Sequence, residues 1–133
     1  MARNSGTPNW SVDFPTGWIA EQKGQSMAVR SPRGADVRFT TFSPADANTT
    51  AVTWAATSAR VDRLKGRAVS AAHCGDFHGY ETRFVSRGQL FLGWVLAANE
   101  IPLDVEYRCS EADAKGEEAE LRTMLATLRV ATV

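Results

Sequence analysis

The chain predicts an α+β fold, a mostly antiparallel sheet flanked by two helices, on three observations. The stretch from Gly79 to Cys109 reads as three strands in series, with a turn at Arg87-Gly88 and a break at Ile101-Pro102. Connections that short join antiparallel neighbours. Pro44 to Lys65 is rich in alanine and lacks glycine, which suits a helix. Leu121, Met124, Leu125 and Leu128 recur at i, i+3, i+4 and i+7, the stripe of a second amphipathic helix. Blocks of strands broken by single helices make an α+β chain, not a βαβ winding.

Taken in order, residues 1–8 are polar and read as a disordered tail, and residues 9–133 as a single domain. Trp10, Val12 and Phe14 alternate with Ser11 and Asp13, giving a first strand. Phe14-Pro15-Thr16-Gly17 has proline second and glycine fourth, a type I turn pattern. Ser26 to Arg30 and Val37 to Phe42 pair as a hairpin around Ser31-Pro32-Arg33-Gly34. Asn48, Thr49 or Thr50 can cap the alanine-rich helix. Its apolar stripe is Val52, Ala55, Ala56 and Ala59, and Gly66 stops it. Ala68 to Cys74 is a strand of small residues. The middle strand of the following block, Leu90 to Leu96, is a nearly continuous apolar run and implies cover on both faces. Gly93 inside that run marks packing room, a bulge or a close approach. Beside it, Leu103, Val105, Tyr107 and Cys109 share one face, and Asp104, Glu106 and Arg108 the other. Tyr80, Thr82 and Phe84 alternate with Glu81, Arg83 and Val85. Ser110 and Asp113 form an acidic capping box for the last helix, whose wet side carries Glu117, Glu118, Glu120 and Arg122. Val130 to Val133 is a tail.

Length and charge exclude whole classes. The 133 residues suffice for one domain with a real core, and 15 basic residues balance 15 acidic ones. A nucleic-acid binder ordinarily shows a basic excess or run, so no nucleic-acid partner is expected. No membrane span and no signal peptide are read, so a cytoplasmic protein is expected. Cys74 and Cys109 lack metal-type spacing and are expected as buried thiols; a bridge would need Cα atoms within ~7 Å.

Trp10-x-Val12-x-Phe14-Pro15-x-Gly17-Trp18, then Gly79-Tyr80, Trp94-x-Leu96-Ala97, Val105-x-Tyr107-x-Cys109 and a helix ending Leu125-Ala126-Thr127-Leu128 together resemble small bacterial proteins of the PsbP-like superfamily. The likeness covers nearly the whole domain and rests on structural aromatics and turn residues. It implies a curved antiparallel sheet flanked by helices, and a protein that binds partners and is not an enzyme. It transfers no functional residue.

His73-Cys74-x-Asp76-x-His78 is the densest cluster of reactive groups. Its residues are all good ligands, yet His73 and Cys74 should point to opposite faces of a strand, and no convergence is built into the spacing. Asp104 and Glu106 share a strand face, where Arg108 is expected to hold both ionised. Phosphate loops and nucleophile elbows are missing, and no cofactor is expected. The favoured reading is a non-catalytic adaptor. It presents a polar sheet face with Arg38, Glu81, Arg83, Glu106 and Arg108 to a protein partner, since arginine is enriched at interfaces. Trp54 lies off the alanine stripe and is the exposed aromatic next in line. The alternatives are a metal-binding protein or enzyme using His73, Asp76 and His78, or a small molecule held between sheet and helix.

Overall fold

The computed structural model describes residues 2–7, 10–43 and 48–131, residues 2–7 by their backbone alone. Strands β1 (Ala2–Thr7), β2 (Trp10–Phe14), β3 (Ile19–Lys23), β4 (Ser26–Arg30) and β5 (Asp36–Thr41) precede helix α1 (Ala51–Leu64). Then come β6 (Ala68–Cys74), β7 (Phe77–Ser86), β8 (Gln89–Ala98) and β9 (Ile101–Ser110). Helices α2 (Glu111–Ala114) and α3 (Glu118–Leu125) and strand β10 (Arg129–Val130) close the order. The main sheet runs β3-β4-β5-β9-β8-β7-β6, antiparallel throughout; β1, β2 and β10 form a small second sheet.

One face of the main sheet is the core. Val105 of β9 stands opposite Phe39 on one side and Trp94 on the other, so the dry residues of three strands meet in register. The small sheet covers them, with Trp10 stacked on Phe39 at 5.5 Å and Phe14 edge-on to it at 6.4 Å. Leu121, Met124, Leu125 and Leu128 complete the core, all nearly inaccessible. The predicted stripe is therefore the buried one. Each fully buried aliphatic or aromatic side chain contributes about 1.5–3 kcal/mol.

Several boundaries differ from expectation. Ala2–Thr7, read as tail, is a strand paired with β2. Backbone pairing needs no apolar side chains, so composition was silent there. Met1 and residue 8 of the expected tail lie outside the described residues, as do Pro44 to Ala47 at the front of the expected helix and the last two residues. The first turn lies one residue later than read: Trp18 N donates to Pro15 O at 3.2 Å, and Gly17 sits at φ 92°, a type II geometry. The β8–β9 turn uses Asn99-Glu100, and Pro102 is inside β9. On α1, capped by Thr50, the buried side is Ala51, Ala55 and Ala59; Val52 is 65% exposed. The last helix is two: α2, capped by Ser110, stops at Ala114, and α3 resumes after Gly116 and Glu117. Among the described residues no helix is long and apolar enough to cross a membrane.

Candidate functional site

Helix α1 covers only part of the second face of the main sheet. Its buried alanines let it lie close over β8 and β7, and it reaches β6 and the near side of β9. Among the described residues, no helix covers the floor where it continues through the outer side of β9 into β5. The step between helix flank and open floor is a groove of about 990 Å³, at the top of the ~300–1,000 Å³ range of ligand sites. Trp54, Ser58, Val61 and Asp62 form the wall, one helical turn apart in pairs. Phe91, Gly93 and Val95 of β8, Asp104, Glu106 and Arg108 of β9, and Arg38 of β5 share the floor, because period-two alternation sends them all to this face. Gly93 is no bulge: the register runs unbroken from Thr82 through Gly93 to Glu106. A side chain is simply absent there, and a Cβ would meet only Val105 O at 3.9 Å.

Four of the predicted residues, Arg38, Glu106, Arg108 and Trp54, thus line one groove. Trp54 is half-buried, edge-on to Phe42 with ring centroids 5.1 Å apart. Arg83 and Glu81 do not join them. In the β7–β8 ladder Arg83 faces Leu92 and Glu81 faces Trp94, which puts both on the core face at its margin. There Arg83 pairs with Glu118 at 3.1 Å. Glu81 accepts from Trp94 Nε1 at 3.0 Å and from both terminal nitrogens of Arg122 at 2.7 and 2.9 Å. The Arg122 hydrogen bonds hold the Glu81 carboxyl below its usual range. These two residues belong to the clamp that docks α3. Both faces of β7 mix bulky and polar residues, so its sequence does not reveal which side is dry.

Electrostatics in the groove also correct the reading of its acids. Arg108 pairs with Asp36 at 3.4 Å and leaves Asp104 alone. Burial, reinforced by Glu106 and Asp62, pushes the Asp104 carboxyl up to about 6. Asp62 itself is held by Arg67 at 2.8 Å and by Thr82 Oγ1 at 3.2 Å. Arg67 lies over the Phe84 ring at 4.2 Å, and Phe84 stacks on Phe91 at 4.7 Å. Asp62, Arg67, Thr82, Phe84 and Phe91 carried no signal as site residues; Gly93 did.

The histidine cluster is resolved differently from expectation. The β6–β7 hairpin pairs His73 with His78, so their rings meet at 4.1 Å although they are five residues apart. Cys74 points to the other face, buried, and desolvation pushes its thiol up to about 11. Asp76 spends a carboxylate oxygen on Val130 N at 2.9 Å. Among the described residues no three metal-ligating side chains gather. A second hollow of about 820 Å³ beside α1 is lined by five alanines, with His78, Tyr80 and Asp76 among its other residues.

No protein-family model matches the sequence, and no curated protein matches it. Solved structures do. A crystal structure from Bacteroides thetaiotaomicron superposes with a TM-score of 0.63 at 16% identity, covering 92% of this chain and 45% of that one. The solution structure of cyanobacterial PsbP, CyanoP, from Synechocystis gives 0.62 at 16% identity, covering 97% and 91%. LpqN, described as involved in cell envelope biogenesis of Mycobacterium tuberculosis, gives 0.56 at 11%, covering 97% and 87%. The chain thus spans under half the length of the Bacteroides protein and nearly all of CyanoP and LpqN. The fold is PsbP-like, as the aromatic and turn residues imply.

Proposed function

We propose that this PsbP-like chain is a non-catalytic binding domain that takes a protein partner in the groove between α1 and the open half of the main sheet. One observation carries the reading: Arg38, Glu106, Arg108 and Trp54, contact residues by sequence, meet in a single half-open trough whose floor mixes apolar and charged side chains. Mixed charge around an aromatic centre is the composition of protein interfaces. The floor is a rigid ladder, so the groove is formed before any partner arrives. The reactive groups elsewhere are poorly placed for chemistry: Cys74 faces away from both histidines and is kept protonated by burial.

The test compares recovery of a co-purifying polypeptide from the native cell by three variants of matched circular dichroism. Trp54→Ala removes the aromatic side of the groove wall, Gly93→Leu fills its floor, and Arg83→Glu reverses charge outside it. The first two are expected to lose the partner and the third to keep it. Undiminished recovery by both groove variants would move the contact surface elsewhere.

A further inference from the structure

Charge in the groove is unevenly satisfied. Arg108 is engaged by Asp36 and Arg67 by Asp62. Asp104 and Glu106 stand two residues apart on β9 and point into the same trough, and among the described residues neither makes a hydrogen bond or ion pair through its side chain. Arg38 sits across the ladder from Glu106 without closing an ion pair to it. Asp104 is the deeper of the two and only partly accessible. A carboxylate in that position resists ionisation until a cation arrives. Beside it the trough also offers apolar surface, Trp54 and Val61 on the helix and Val95 on the floor, and the empty space over Gly93 leaves the way in open.

Apolar surface beside two acids that lack ion-pair partners complements a long aliphatic stem with a cationic head. Among such groups a guanidinium fits best. It is planar, presents a fork to paired carboxylate oxygens, is weakly hydrated, and stacks on an indole. Resting on the groove reading above, we infer that the partner anchors itself by an arginine side chain, its stem along Trp54 and Val61 and its head between Asp104 and Glu106. The charged groups on the Asp104 side of the trough are Glu106 and Arg108 from its own strand, Asp62 from α1 with Arg67 just beyond it, and Arg38 from β5, which stands opposite Glu106 while Thr40 stands opposite Asp104; β8 offers Val95. Arg108 and Arg67 are engaged by Asp36 and Asp62, so Arg38 is the cation of the trough left to oppose the incoming one.

The probe is N-acetyl-leucyl-arginine amide, titrated into isotopically labelled protein and followed by the Trp54 indole and Gly93 amide resonances. Saturable shifts are expected at both. The glutamate counterpart of the probe should produce none, and Asp104→Asn, which keeps the shape, should weaken the response at least tenfold. Arg38→Ala should leave it equal or stronger. The apparent affinity should rise severalfold from pH 5 to pH 7.5 as Asp104 loses its proton. The inference is overturned if shifts do not saturate, if the glutamate probe matches the arginine probe, or if Asp104→Asn binds normally. In the co-purification assay, partner loss with Gly93→Leu but not with Asp104→Asn would sink the arginine seat and leave the groove standing. Retention by both would sink the groove as well.

Discussion

Asp104 shows how a single residue can be both a cost and a device. Its carboxyl is held near 6 in the folded chain, against ~3.9 when unfolded. The folded state therefore keeps a proton that the unfolded state gives up, and stability falls as pH rises between about 4 and 6. A rise to about 6 corresponds to at most ~3 kcal/mol, and partial solvent contact brings that to about 1–2 kcal/mol. Asp104→Asn should then melt higher than the parent at pH 7.5 and equal to it at pH 4, as calorimetry would read. Two glycines separate just as cleanly. Gly75 has φ 61°, and a Cβ there would lie 2.0 Å from Leu128 O, so Gly75→Ala should lose at least ~2 kcal/mol in urea unfolding. Gly93→Ala meets open space and should stay within about 0.5–1 kcal/mol of the parent. The thiols of Cys74 and Cys109 are free and buried. Native protein should resist thiol reagents, denatured protein should take up two equivalents without reduction, and a reductant should not move Tm. At this scale the sequence reveals residue types and not their surroundings. Arg38, Glu106 and Arg108 were legible because alternation fixes their face. The isolation of Asp104 was not, because it depends on Arg108 reaching Asp36 across a strand pair instead of a neighbour on its own strand.

The two C-terminal helices show the same division among elements. Spacing alone identified the face of α3 that docks, and Leu125→Ala should cost ~2–5 kcal/mol and clearly lower the urea midpoint. Glu118→Ala touches only exposed ion pairs, to Arg83 at 3.1 Å and Arg122 at 3.2 Å, and should cost under ~1 kcal/mol. Equal midpoints for the two variants would mean that the buried face is misassigned. The interruption between α2 and α3 was not legible. It depends on Arg33, whose guanidinium lies within 3.0 Å of where a Cβ on Gly116 would be, and on Glu117, which turns inward to accept from Tyr107 OH at 3.2 Å. Burial and the nearby carboxylate hold that phenol protonated. A glutamate inside an acidic run looks solvated by every local rule, and only a tyrosine from another element makes its burial affordable.

Across the whole molecule the antiparallel order was readable because turn residues punctuate the strands at hairpin spacing. The layer arrangement was not, since it depends on which side of β7 faces the core. One cluster joins Trp10 and Phe14 of the small sheet to Trp94, Tyr107 and Leu125. Tryptophan fluorescence and far-ultraviolet circular dichroism should therefore report one coincident urea transition; separate midpoints would split the two sheets into independent units. The small sheet has a further consequence, for the order in which the chain is made. Strand β2 is completed on one edge by β10, with Arg129 opposite Ser11, and Asp13 N takes its partner from Thr127 Oγ1 at 2.9 Å. A ribosome delivers Trp10–Phe14 first and Arg129–Val130 only after every other described strand. At roughly 5–20 residues per second, that edge and the indole beside it wait on the order of ten seconds for the strand that covers them. The nascent chain spends that interval as a client for any chaperone that recognises an open, aromatic strand edge.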